Sequence, residues 1–420
     1  MDLLLKNGKL VTPKGIVEAD VGVKDGKIAK IGKDMTGEEE INCSGKYVLP
    51  GLIDAHVHLR EPGKTKAEDF KSGSMAAAKG GITSVIDMPN NKPSTTTPKA
   101  LEEKRKLAEK SIIDYGFHFG ATSENKDELD KVKNIASVKF YMGSSTGDLL
   151  MDDSEEVYRY FLKLGKRGIM ATCHCEKQSL IKPGKGSWND SRPGEAERIS
   201  IMETFLLASK AKNKVHICHL SSRQGVELVE LNEKATCEAS PHHLFLNCTD
   251  EERLKGYGKV NPPLRKKEDV SALWGAVKNG TVDIIASDHA PHLREEKERE
   301  FLQTPSGLPE LDTTLQLMLT KVNDGVISLQ RLVQMTSENP ARIFGIKGKG
   351  SIAEGMDADF AIVDLKQKDK ITNDNIISKC GWTPYDGMKT RGKAECTICG
   401  GNVVFDGEPC KNGGKELMFR

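Results

Sequence analysis

The sequence predicts an α/β protein: a parallel (β/α)₈ barrel of the TIM type, with a small β-sandwich made by the two ends of the chain. Three observations carry this. Through the middle of the chain, apolar runs of strand length alternate with amphipathic helical stretches. At both ends, short runs are instead separated by turn signals, Asn7-Gly8 and Asp25-Gly26 early and Gly400-Gly401-Asn402 late. Nearly every central run also ends, on its C-terminal side, in a polar or titratable residue, which in a barrel would gather all of them over one mouth.

The elements follow in chain order. Residues 1–49 hold Leu3–Leu5, Val21–Val23 and Ile28–Ile31, spaced as antiparallel strands. Residues 50–345 hold the barrel. Its buried-type strands are expected at Val48–Ile53, Ile82–Asp87, Ile112–Phe119, Ser137–Met142, Gly168–Cys173, Lys214–Cys218, Ala235–Ala239 and Val282–Ala286. Helices are expected at Lys99–Lys110, Ser154–Lys166, Glu195–Ala211, Arg223–Asn232 and Asp269–Val277. Residues 346–420 return to β texture in Asp359–Val363, Ala394–Cys399 and Val403–Phe405. A doubly wound open sheet has the same alternation, but it would spread the polar strand ends along a line.

With 420 residues the chain can bury a large core, and its formal net charge of +1 offers no field to draw nucleic acid or anionic lipid. The start, Met1-Asp2-Leu3-Leu4-Leu5-Lys6, is too short an apolar run for a signal peptide, and no stretch approaches membrane-spanning length, so a cytoplasmic protein is expected. The ten cysteines are scattered in apolar runs, as reduced thiols are. Cys396 and Cys399, with Cys380 and Cys410 at a distance, could form a zinc site. Strand alternation would send Cys396 and Cys399 to opposite faces, which favours packed thiols.

The strand ends carry the chemistry. In Pro50-Gly51-Leu52-Ile53-Asp54-Ala55-His56-Val57-His58-Leu59-Arg60, alternation puts His56, His58 and Arg60 on one face, and two imidazoles so spaced can hold one metal ion. A half-buried strand with histidines satisfied by carbonyls is the plainer alternative, and a surface ion pair with Glu61 or Asp69 is the plainer one for Arg60. His174 closes one later run and His219 another, while His216 is taken as structural. Asp288 closes the last run, where a buried carboxylate is costly without a cation and where Ser287-Asp288 could also cap a helix. The charged stretch Arg294–Glu300 reads as a solvated helix. Lys139 lies inside an apolar run, where an unpaired ammonium is expensive. Carbamylated, it would become an anion able to bridge two metals about 3.5–4 Å apart; otherwise it is a stem that snorkels or meets an aspartate.

Taken together, Asp54-Ala55-His56-Val57-His58-Leu59-Arg60-Glu61-Pro62-Gly63, Met88-Pro89-Asn90-Asn91, the Lys139–Gly147 segment, Val215-His216-Ile217-Cys218-His219 and Ala286-Ser287-Asp288-His289-Ala290-Pro291-His292 resemble the dihydroorotases of the metal-dependent amidohydrolase superfamily. The likeness runs on through Glu338-Asn339-Pro340-Ala341 to Gly355-Met356-Asp357-Ala358-Asp359. It implies a distorted (β/α)₈ barrel beside the terminal β-sandwich, and two zinc ions. His56, His58 and Asp288 would hold one ion, His174 and His219 the other, with N6-carboxylated Lys139 and a hydroxide between them. Some relatives use a loop aspartate in place of the lysine, and Asp148, Asp152 and Asp153 stand in reach of that role.

The implied reaction is the reversible cyclisation of N-carbamoyl-L-aspartate to L-dihydroorotate plus water, in pyrimidine biosynthesis. Asp288 would shuttle the proton, and Arg60, Asn90 and His292 would clamp the substrate carboxylate. Ser144–Gly147 and Asn261–Arg265 are candidate mobile loops over the site. The resemblance also leaves room for a homodimer and for association with aspartate carbamoyltransferase. Two other readings remain: a dihydropyrimidinase, hydantoinase or allantoinase with the same metals, or a non-catalytic partner of the carbamoyltransferase.

Overall fold

Gly51 is where the chain passes from one sheet to the other. A Cβ there would lie 2.2 Å from Thr83 Oγ1, so only glycine lets the chain pass against the Thr83 side chain. The expected run Val48–Ile53 is accordingly split: Tyr47–Pro50 pairs in the terminal sheet, and Leu52–Val57 is the first barrel strand. In the computed structural model, which describes residues 1–145, 148–410 and 413–420, eight parallel strands neighbour one another in chain order. They are Leu52–Val57, Ile82–Asp87, Asp114–Gly120, Ser137–Tyr141, Ala171–His174, Val215–Ile217, Thr236–Ala239 and Ile284–Ile285. Val57 bridges to His289 in parallel, and His58 N donates to His289 O at 2.8 Å, bringing the last segment back to the first. The expected helices lie within about a turn of their predicted limits. For instance, Asp153 caps Ser154–Arg167, which ends on left-handed Gly168, and Gly194–Ala211 packs between Ser154–Arg167 and Arg223–Glu230.

The two ends of the chain form a nine-stranded, mostly antiparallel sheet, in which Phe360–Lys370 pairs with Tyr47–Pro50 and so joins the C-terminal half to the N-terminal half. The sheet folds over itself, the turn at Gly26 meeting that at Gly400, around Leu5, Val21, Val48, Phe360 and Ile398. Lys349 clamps it to the barrel, its ammonium 2.6 Å from Asp114, 2.5 Å from Asp359 and 3.2 Å from Asp357, so that this acidic trio already has its cation. Cys396 packs inside the terminal sheet and Cys399 on the barrel side, as strand alternation requires. The last residues leave the sheet: Glu416 bridges Tyr115 and Phe419 bridges Ile346. Among the described residues no helix is long and apolar enough to cross a membrane.

Candidate metal centre and substrate cleft

The first barrel strand ends at Val57, so strand geometry delivers His56 and the turn that follows delivers His58 and Arg60. Arg60 has φ +62, and alternation alone does not explain its direction. Asp288 (φ +49) and His219 (φ +30) are likewise in the left-handed region, where non-glycine residues are strained and where functional sites tend to store that strain. The Nε2 atoms of His56 and His58 lie 3.2 Å and 3.1 Å from one oxygen of Asp288. Each Nδ1 faces outward to an acceptor, His56 to the Glu238 carboxylate and His58 to Asn90 Oδ1 at 2.6 Å. With the ring protons on Nδ1, two lone pairs and a carboxylate oxygen converge on one point. That arrangement is repulsive by itself and is what a cation requires.

A second pair stands beside the first. His174 Nδ1 faces His219 Nε2 at 3.0 Å, while His174 Nε2 meets Glu176 Oε2 at 2.8 Å. Glu176 is in turn held by Arg192. Burial would raise Glu176, but Arg192 and His174 overcome it and hold the carboxyl at about 2. The two histidine groups adjoin, the His56 and His219 rings being 5.3 Å apart. Burial, then the nearby Lys139, holds His56 down at about 4; burial first also keeps His58, His174 and His219 below the ordinary value. Burial thus favours the neutral imidazole at all four, the form that ligates metals.

Lys139 is fully buried on the fourth strand, and its Nζ donates to Cys218 Sγ at 2.8 Å. Among the described residues no carboxylate lies within 4.0 Å of that nitrogen. Of the candidate replacements, Asp153 is committed to capping Ser154–Arg167, and Asp152 and Asp148 are both exposed, Asp148 lining the outer cleft with Arg60 and Asn90. Thr146 and Gly147 of the first candidate loop lie outside the described residues.

The cleft is lined by His58, Arg60, Asn90, Asn261, Asp288 and Ser306, among others. Arg60 is buried, not a surface ion pair: Glu61 is taken by Lys110 and Asp69 by Lys379. Its Nε donates to Pro291 O at 2.9 Å and its Nη2 meets His292 Nε2 at 3.0 Å. Asn90 is carried by a loop fixed from below by Lys104, which pairs with Asp87 at 2.5 Å and donates to Met88 O and Asn91 Oδ1. Of the second candidate loop, Asn261 reaches the cleft, while Arg265 is anchored on Ser221 Oγ and Arg192 O.

His216 is structural, bonded to Thr236 Oγ1 and to Glu238 Oε2 at 3.0 Å. Glu238, like the Glu176 that faces His174, was missed by sequence reasoning. One carboxylate spans His216 and His56, and despite burial these two histidines hold it well below the usual carboxylate range. The available signal was a lone carboxylate inside the buried run Cys237-Glu238-Ala239. Glu238→Gln is expected to weaken metal affinity about 10–100-fold without unfolding the barrel, as measured by chelator competition.

Comparison with known proteins adds to this geometry. Residues 47–404 match the Amidohydrolase family, and residues 1–47 match the urease alpha-subunit, N-terminal domain. A dihydroorotase of Pyrococcus abyssi is 41% identical, covering 97% of this chain and 95% of its own length. One from Methanosarcina acetivorans is 38% identical over 96% of this chain and 92% of its own. Among solved structures, L-hydantoinase (dihydropyrimidinase) from Arthrobacter aurescens superimposes with a TM-score of 0.95 at 32% identity, covering 99% of each chain.

Proposed function

The chain belongs to the amidohydrolase family, and from that premise we propose that it is a dihydroorotase, interconverting N-carbamoyl-L-aspartate and L-dihydroorotate plus water with two zinc ions. The observation that carries the choice is the buried guanidinium of Arg60, set against His292 in the cleft that His58 and Asp288 line. Hydantoin and dihydrouracil rings have no carboxylate to meet it; dihydroorotate does.

The donor set fits such ions: four neutral imidazoles, the Asp288 carboxylate, and a buried lysine whose carbamylation would add a shared anion. His56, His58 and Asp288 would hold one ion, His174 and His219 the other, with N6-carboxylated Lys139 between them. When bound, the ions supply Lewis acidity to the amide carbonyl and acidify the attacking water. Asp288 takes the proton in the hydrolytic direction and returns it to the departing ring nitrogen. Arg60 grips the substrate carboxylate with its planar fork, and Asn90 and His292 complete the clamp. Glu238 and Glu176 keep the tautomers of His56 and His174 in place.

The reading is tested by comparing turnover of L-dihydroorotate, dihydrouracil, hydantoin and allantoin, with metal content measured on the same preparation. Dihydroorotate turnover with two zincs per chain is expected. Preference for a ring without a carboxylate would replace the reading by that of a hydantoinase or dihydropyrimidinase, and absence of zinc and turnover would favour the non-catalytic partner. Arg60→Met is expected to raise KM about 10–100-fold at full zinc occupancy, the worth of a lost charge-assisted hydrogen-bond pair. Zinc loss in that variant would contradict the assignment. Homodimer formation, and association with aspartate carbamoyltransferase, complete the proposal and are read from the mass of the protein alone and in mixture.

A further inference from the structure

The cleft wall that carries Val260, Asn261, Ser306 and Gly307 is held by several side chains, Trp188 Nε1 donating to Val260 O at 3.0 Å and Asn261 Oδ1 at 3.1 Å, and Lys297 gripping the backbone on either side. Lys297 ends the short helix Arg294–Lys297 and is buried, with 1% of its surface exposed. Its Nζ donates to Lys259 O at 3.2 Å, Pro305 O at 2.9 Å and Gly307 O at 3.1 Å. Gly307 N in turn donates to Lys259 O at 2.9 Å, so this one nitrogen reinforces a contact that joins the two stretches of the wall. Three carbonyls require three N–H donors, which an ammonium has and a neutral amine lacks. Among the described residues, no carboxylate lies within 4.0 Å of it.

A buried cation without a counter-charge is costly, and carbonyl dipoles offset only part of that cost. Its surroundings carry both signs of charge: burial, then Lys259 and Arg60, depress Lys297 well below the usual lysine value, and Glu296 opposes them. The indole of Trp382, 5.7 Å from Nζ, donates to His292 O at 2.7 Å, which ties Lys297 to the same support as the Arg60–His292 pair.

We propose that Lys297 is a specificity-determining positioning residue, whose ammonium both fixes the wall of the cleft and supplies charge that favours an anionic ring over its neutral counterpart. This rests on the dihydroorotase reading for the identity of the ring. The test uses the zinc-loaded full chain and measures binding of orotate and of its methyl ester by calorimetry, beside kcat and KM for dihydroorotate. Lys297→Met is expected to weaken orotate about tenfold or more while changing the ester by less than about twofold, and to move KM more than kcat. Lys297→Arg is expected to regain most of the loss. Should the methionine variant not fold, Lys297→Gln, which keeps two donors without charge, takes its place. Equal weakening of acid and ester would reduce Lys297 to a structural staple and overturn the proposal. Wild-type protein that prefers orotate to its ester yet does not turn over dihydroorotate sinks the function proposed above and leaves the tests on the variants valid; wild-type protein without that preference sinks the inference itself.

Discussion

On the proposed function, Lys139→Ala is expected to lose the metal pair and about 10³-fold or more of activity, equivalent to about 4 kcal/mol on the barrier, while remaining folded. The fold should survive because nothing is propped on this ammonium: its hydrogen-bond partner is one thiol, Cys218, and it is fully buried. A charge so placed costs several kcal/mol, so removing it relieves as well as damages. The carbamylation proposed above would replace that buried cation by an anion next to the four histidines. Metal analysis, intact mass showing one added CO2 in the wild type, and rescue of the variant by a short carboxylic acid would check this. Retained zinc and activity would transfer the role to a loop aspartate, and Asp148 at the outer cleft is the one placed for it.

Asp288→Asn is expected to cost about 10²–10⁴-fold in kcat with a smaller effect on KM, the range for loss of a proton carrier. Asparagine suits the test because it tolerates the left-handed conformation that Asp288 adopts at φ +49, so the backbone is not the variable. His56 and His58 keep their outward partners Glu238 and Asn90, so zinc should weaken less than activity falls. A kcat within about tenfold of wild type would remove Asp288 from the proton path. Zinc content measured alongside separates a lost ligand from a lost proton carrier.

How legible these residues were follows from where each stands along the chain. His56, His174, His219 and Asp288 interrupt or end apolar runs, and a polar group there needs a reason that can be read from one dimension. Lys139 was legible on the same ground. Lys297 was not: it sits in Arg294–Glu300, which reads as a solvated helix, yet the helix is only Arg294–Lys297 and its last lysine is buried under the cleft wall. Glu238 and Arg60 mark the same limit. The partner of Glu238 is His56, distant in the sequence, and Arg60 leaves the strand before it turns inward.

By itself, the sequence determined the alternation of strand and helix, the β character of both ends, and the set of side chains gathered at the barrel mouth, because burial patterns and turn residues act over a few neighbours. Tertiary structure alone decided the split at Gly51, the outward partners that set each histidine's tautomer, and the cation behind the cleft wall. Those depend on what two distant segments bring to one point, and no local preference encodes that.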